Sequence, residues 1–223
     1  MATLEIESNL EKVRLRITRA CERAGRNPAG VILVAVTKNV TAEDIETAFK
    51  LGIRHFGENR VQEARHKIPL LGPLQPEPVW HMIGHLQSNK VKTALEIFDV
   101  IQSVDSLALA NIINKKATGK IPVLLEINIA GEPAKYGFSP EEIVPAFEQI
   151  SQLPNLDIKG LMTVAPAVSN PEDARPIFRR LKLMADAFHL EHISMGMSDD
   201  FEVAVEEGAT MVRIGRAIFG ERS

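Results

Sequence analysis

The 223-residue chain has little of what marks secreted, membrane or nucleic-acid-binding proteins. Its one cysteine, Cys21, excludes an intrachain disulfide and suits a reducing compartment. No apolar run approaches the roughly 18 residues that cross a membrane, and the acidic start MATLEIESNLEKV differs from a signal or transit peptide. A net charge of −3 gives no general attraction to nucleic acid or anionic membranes. We therefore expect a soluble, cytoplasmic protein that binds neither nucleic acid nor membranes.

Strand and helix patterns alternate along the chain. Apolar runs such as VILVAV, IPVLLEINIA and MVRIGRAIFG are separated by amphipathic segments, with helix-start signals at Thr41, Ser139 and Asn170. We count eight such cycles, the last one short, which predicts a single (β/α)8 TIM barrel of parallel strands. An open doubly wound sheet is the alternative, but no G-x-G-x-x-G turn follows the first strand.

An extra helix precedes the barrel. One apolar stripe at helical spacing ends before Gly25, and it comprises Ile6, Leu10, Val13, Ile17 and Ala20. We expect one domain over residues 1–223, with the N-terminal helix in 1–25 and the barrel in 31–220. The helix either covers the base of the barrel or contacts a partner.

Polar residues follow nearly every predicted strand, where the active sites of such barrels lie. Each one alone is as easily a helix cap, but together they predict a site: Lys38, Glu58, Asn59, His81, His85, Ser103, Asp105, Asn128, Thr163, Ser194 to Ser198 and Arg213 to Arg216. On one strand, His81 and His85 would stand about 13 Å apart, too far for one ion, so no metal site is predicted. Neither a nucleophile elbow nor a Walker pattern is present.

Two motifs near the C-terminus suit an anion. SMGMS places Ser194 and Ser198 before a helix, and RIGRAIFG puts Arg213 and Arg216 around Gly215. Alternatively Ser198 is a plain N-cap, which the neighbouring Asp199 and Asp200 would support, and Arg213 forms a salt bridge to Glu58 or Asp105. Phosphate binding requires those aspartates to point away or to be offset by an arginine.

Lys38 ends the first strand, which neighbours the anion motifs once the sheet closes. An amine facing a phosphate site suits pyridoxal 5′-phosphate, whose aldehyde condenses with lysine. A structural lysine and other phosphorylated ligands remain the alternatives.

From residue 31 to the C-terminus the chain resembles the pyridoxal-phosphate-binding homeostasis family, whose fold is that of the alanine racemase N-terminal barrel. The motifs that carry the resemblance are LVAVTK, HFGENRVQE, WHMIGHLQSNK, GLMTV and SMGMSDDFEVAVEEGATMVRIGRAIFGER. The resemblance implies that Lys38 forms the internal aldimine (Schiff base) and that Asn59 lies close to the cofactor. It further implies phosphate-binding positions at Ser198, Ser194 and the Gly215–Arg216 backbone. Arg213 matches the arginine that faces the pyridine nitrogen in racemases, and in this chain it contacts either the ring or the phosphate. Relatives often carry a small hydroxyl residue at position 216.

The resemblance also implies a carrier or regulator in vitamin B6 homeostasis, affecting amino-acid and keto-acid balance without catalytic turnover. Racemases use a second base, a tyrosine from an added C-terminal domain, whereas this sequence ends at Ser223 and nothing places Tyr136 opposite Lys38. A weak pyridoxal-phosphate-dependent amino-acid enzyme is the alternative. We expect a monomer, with apo-enzymes as possible recipients of the cofactor.

Overall fold

Eight parallel strands form a closed barrel in the computed structural model, which describes residues 2–221. Each strand pairs with the next, and the eighth closes on the first, with Val34 opposite Arg213. The (β/α)8 prediction is therefore confirmed, and the open doubly wound sheet is wrong. The strands are β1 (Ile32–Val36), β2 (His55–Glu58), β3 (Val79–Met82), β4 (Val100–Val104), β5 (Ile121–Glu126), β6 (Leu156–Met162), β7 (His192–Ser194) and β8 (Met211–Ile214).

Helices surround the barrel, and several begin where local chemistry predicts. Thr41 caps the second helix, since its Oγ1 accepts from the backbone N–H of Asp44 at 3.2 Å. The α-helices are α1 (Ala2–Arg23), α2 (Ala42–Lys50), α3 (Val61–Lys67), α4 (Val91–Leu95), α5 (Leu107–Lys116), α6 (Ile143–Ser151), α7 (Arg175–Ala187), α8 (Phe201–Glu206) and α9 (Arg216–Phe219). None of the helices within residues 2–221 combines the length and the apolar character needed to span a bilayer.

Two predicted boundaries are wrong. The Ser139 N–H does donate to Glu142 Oε2 at 2.9 Å, but this contact closes a turn, and α6 begins only at Ile143. The last strand ends at Ile214, because the backbone leaves the extended region at Gly215 and continues as the short helix α9. A short apolar run does not by itself distinguish strand from helix.

Helix α1 completes the outer ring of the barrel. Its predicted stripe is buried, Cys21 on the same helix is fully buried, and Gly25 ends the helix with φ +64°. The helix packs against α2, α8 and α9, and Asn9 donates to the Ile218 carbonyl. Because α9 has only four residues, α1 fills the place that a full eighth helix would take beside β8 and β1. It therefore packs against the side of the barrel.

Candidate functional site

The carboxyl ends of β1, β7 and β8 meet around a cavity of about 340 Å³. It is lined by Val36, Lys38, Met197, Ser198, Asp199, Arg213, Gly215, Arg216 and Gly220. Barrel closure through the β1–β8 pairing brings these groups together although about 160 residues separate them. Five predicted site residues thus share one cavity: Lys38, Ser198, Arg213, Gly215 and Arg216.

The backbone on both sides of Lys38 is held in place, while its own side chain is exposed. Thr37 is fully buried, and its Oγ1 donates to Glu58 Oε1 at 2.7 Å. Asn39 adopts the left-handed conformation with φ 57°, which asparagine tolerates better than most residues, and its N–H donates to Glu63 Oε1 at 2.5 Å. The turn that presents the Lys38 amine is therefore fixed by side chains of β2 and α3.

Lys67 links these acceptors into one partly buried cluster, which we call the Lys67 cluster (Thr37, Asn39, Glu58, Glu63 and Lys67). Its Nζ donates to Thr37 O at 2.6 Å, to Glu58 Oε1 at 2.9 Å and to Glu63 Oε1 at 2.7 Å. Burial raises the pKa of Glu58, although hydrogen bonds from Lys67 and Thr37 oppose the change. Sequence reasoning missed Lys67, because a Glu-to-Lys pair four apart on a helix is typical of an exposed surface.

The structure around SMGMS shows where the carboxylates of Asp199 and Asp200, which would repel a phosphate, are directed. Asp199 forms an ion pair with Arg216, so one carboxylate is offset as phosphate binding requires. Asp200 is the N-cap residue of α8, and its Oδ1 accepts from the Met197 N–H at 2.6 Å. Ser198 Oγ instead accepts from the Ala217 N–H at 3.2 Å, so the alternative of Ser198 as N-cap is wrong.

Arg213 on β8 lines the cavity from the interior of the barrel, and its side chain is buried (3% exposed). Its NH1 donates to Ser194 Oγ at 2.5 Å and its NH2 to Thr163 O at 2.7 Å, rather than to Glu58 or Asp105. Burial lowers the pKa of Arg213 to about 10, with Glu126 and Asp200 opposing the shift. The guanidinium therefore stays cationic at neutral pH.

Two of the seven residues assigned to the cofactor lie outside this cavity. Ser194 is fully buried beneath Arg213, with its hydroxyl engaged. Asn59 lines a neighbouring cavity of about 530 Å³ with Arg60 and Lys90, and its buried Oδ1 has no hydrogen-bond partner among the described residues. Gly84 packs against it so closely that a Cβ would lie 2.5 Å from Asn59 O.

Acid–base groups that the sequence reasoning did not single out as a set lie at the ends of β3 to β5. Burial, together with Asp105, raises the pKa of Glu126 to about 7, and Arg213 opposes the rise. His85 Nδ1 lies 2.7 Å from Asp105 Oδ2, and Tyr136 stacks on the His85 ring with centroids 3.6 Å apart. Glu126 is the last residue of β5 but lies inside the apolar run IPVLLEINIA, and a carboxyl within such a run was the available signal.

The donor set of the cavity defines the ligand it suits. An exposed primary amine faces the same space as two guanidinium groups, a serine hydroxyl and a glycine. Such a set fits a small molecule that carries both an electrophilic carbonyl and an anionic group. Within residues 2–221 no three His, Cys, Asp or Glu side chains are grouped to hold a metal ion.

Comparison with known proteins agrees with this geometry. Residues 8–223 match the family model described as alanine racemase, N-terminal domain. Proteins named pyridoxal phosphate homeostasis protein are 46% identical in Aquifex aeolicus (96% of each chain covered) and 41% identical in Pseudomonas aeruginosa (97% of this chain, 96% of the relative). The structure of PipY from Synechococcus elongatus PCC7942 with PLP bound is 36% identical, with a TM-score of 0.84 over 96% of this chain and 100% of that one. The chain therefore belongs to the pyridoxal phosphate homeostasis protein family, built on the alanine racemase N-terminal barrel.

Proposed function

We propose that this protein binds pyridoxal 5′-phosphate in the 340 Å³ cavity and acts as a carrier or regulator of that cofactor. The observation that carries the proposal is the shared cavity of the Lys38 amine and the Ser198, Arg213, Gly215 and Arg216 groups. The cofactor supplies an aldehyde that condenses with amines and a phosphate that needs cationic and N–H donors. The bound cofactor in PipY, a relative of nearly equal length, supports the same reading.

Each residue has a role in this proposal. Lys38 provides the amine for covalent attachment, and the Lys67 cluster holds that amine at the mouth of the barrel. Ser198 and the Gly215–Arg216 segment hold the phosphate, where the ion pair with Arg216 reduces the repulsion that Asp199 exerts but also engages Arg216. Arg213 faces the ring nitrogen as a fixed cation and disfavours its protonation, which weakens the ring as an electron sink.

The two predicted residues outside the cavity act at a distance from the phosphate. Ser194 contributes by holding Arg213, since its hydroxyl is already engaged below the cavity. Asn59 approaches the cofactor from the neighbouring cavity, where its unpaired Oδ1 offers an acceptor.

The proposed role is homeostatic rather than catalytic. The relatives are named for homeostasis, and Tyr136 stacks on His85 with its side chain largely exposed. One observation favours the alternative of a weak amino-acid enzyme: Glu126, with a pKa of about 7, and the His85–Asp105 pair are acid–base groups at the same end of the barrel. A cytoplasmic location, a monomeric state and apo-enzyme recipients remain predictions.

The visible spectrum of the purified protein tests the proposal. We expect an absorption band of a lysine-bound cofactor after addition of pyridoxal phosphate, and borohydride should fix the added mass to the peptide that contains Lys38. Lys38→Ala should lose both signals, whereas Lys50→Ala, which changes an exposed lysine on α2, should keep them. A colourless wild-type protein, or a label on another lysine, would contradict the proposal. Turnover in an amino-acid screen that Glu126→Gln abolishes would favour the enzymatic alternative.

A further inference from the structure

A row of polar side chains crosses the interior of the barrel below the cofactor site. Arg213 NH1 donates to Ser194 Oγ at 2.5 Å, and Ser194 Oγ donates to Gln102 Oε1 at 2.6 Å. Gln102 Nε2 lies 2.9 Å from His81 Nδ1, and His81 Nε2 lies 3.0 Å from His55 Nδ1. Five strands supply the row, and its first four members are each at most 3% exposed. Burying a polar group costs free energy unless the group is hydrogen-bonded, so the hydrogen bonds of this row are needed for the fold to hold these side chains inside.

With the Gln102 Oε1 toward Ser194 and its Nε2 toward His81, the direction of every hydrogen bond in the row follows from chemistry. A guanidinium only donates, so Ser194 Oγ accepts from Arg213, and its own O–H donates to the Gln102 oxygen. The Gln102 amide then turns its NH₂ group to His81 Nδ1, which must be unprotonated. His81 therefore carries its proton on Nε2 and donates to His55 Nδ1. Each donor meets one acceptor, from the cofactor end to the opposite end.

The charge states of the histidines agree with this order. Burial, followed by the nearby His55 and His192, lowers the pKa of His81 to about 3. Burial and His192 also lower the pKa of His55. Both rings are therefore neutral at neutral pH, as the row requires. Glu126 and Asp200 are the carboxylates that act on Arg213 at the other end.

We infer that Gln102 and His81 are positioning residues for Arg213, which they hold through a hydrogen-bonded row of fixed direction ending at His55. His55 is half-buried and lines a cavity of about 480 Å³ at the amino-terminal end of the barrel, together with Arg14 and Arg54. The row thus connects the guanidinium in the cofactor site with a surface at the opposite end. The effect of the row on cofactor affinity rests on the proposed function.

Protonation of His55 would place two N–H groups face to face at the end of the row and break the last hydrogen bond. Burial, followed by His192 on β7, acts against that protonation, and Arg14 and Arg54 line the same cavity. The row is therefore intact at neutral pH and opens from its far end when the pH falls below the ordinary range of histidine.

NMR of the ¹⁵N-labelled apo-protein tests the row without any cofactor. In the wild type, His81 should show a single neutral tautomer with the proton on Nε2. Gln102→Glu keeps the shape but turns an oxygen toward Nδ1, so His81 should gain a proton there. Gln149→Glu, the same change on the exposed part of α6, should leave His81 unchanged. A wild-type His81 with the proton on Nδ1, or an unchanged His81 tautomer in Gln102→Glu, would refute the proposed direction of the hydrogen bonds.

Arg213 itself provides the second measurement. Gln102→Met removes the two hydrogen bonds that Gln102 makes within the row, so the guanidinium N–H protons of Arg213 should exchange faster with water in the apo-protein. Pyridoxal phosphate titration should then show an affinity lower by about 2- to 30-fold, the range for residues that affect a site without touching its ligand. Unchanged Arg213 exchange would refute the positioning role even if the tautomers agree. Absence of cofactor binding in the wild type would refute the proposed function alone, because both NMR results are obtained without cofactor.

Discussion

Replacement of Lys67 by methionine should destabilise the protein strongly. The variant keeps a side chain of similar length but removes the donor to Thr37 O, Glu58 Oε1 and Glu63 Oε1. Glu58 has no exposed surface, so its carboxylate would remain in the interior without a cation. Removal of one partner from a buried ion pair costs about 3–5 kcal/mol. For a domain of this size, that loss lowers Tm by about 6–20 °C.

The loss should also depend on pH. Burial raises the pKa of Glu58. A group with a raised pKa in the folded state stabilises the fold below its unfolded pKa, and this contribution disappears as the pH rises through the folded pKa. Without Lys67 the pKa of Glu58 rises further, so the deficit of Lys67→Met should shrink from pH 7.5 to pH 5. Urea unfolding followed by circular dichroism at both pH values measures it.

Two comparison variants make the test specific. Lys50→Met removes an exposed lysine whose Nζ lies 3.8 Å from Glu46, and it should cost less than about 1 kcal/mol. The double variant Lys67→Met with Glu58→Gln removes the unpaired charge and should recover part of the lost stability. The role assigned to Lys67 is wrong if the free energy of unfolding of Lys67→Met lies within about 1 kcal/mol of the wild-type value. It is also wrong if the double variant is less stable than the single one.

Three further predictions follow from the site. Glu126→Gln should match the wild type near pH 4.5 and exceed its stability above pH 7 by up to about 3 kcal/mol in urea unfolding, because folding raises the pKa of Glu126 from 4.5 to about 7. Gly196→Ala should lower Tm, since φ is +90° and the new Cβ would lie 2.6 Å from Ala204 Cβ. Asp199→Asn should change stability by less than about 1 kcal/mol, because its pair with Arg216 is exposed, yet tighten cofactor binding in an absorbance titration.

The opposite results would each contradict a separate part of the interpretation. Equal stability of Glu126→Gln and wild type at pH 8 would mean that the Glu126 carboxylate is solvated. An unchanged Tm in Gly196→Ala would mean that the turn before α8 accommodates the added Cβ without a loss of stability. Weaker cofactor binding by Asp199→Asn would mean that Asp199 holds Arg216 in place rather than competing with the phosphate.

The site was predictable in part. Lys38, Ser198, Arg213, Gly215 and Arg216 share the cavity because the ends of parallel strands meet at one face of a closed barrel. Alternation of strand and helix is a local pattern, so residues that follow strands are visible in a sequence. The partners of those residues are not visible, because they depend on which distant side chains meet.

The amino-acid sequence by itself determined the eight-stranded barrel, the N-terminal helix, and a lysine and arginines at one end, since these follow from hydrophobic period and turn chemistry. Only the tertiary structure decided that Lys67 binds the carbonyl of Thr37 next to Lys38, that Arg213 is held through Ser194 and Gln102, and that α1 replaces an outer helix. The physical reason is that burial and hydrogen-bond direction arise from contacts between residues far apart in the chain, which no local pattern encodes.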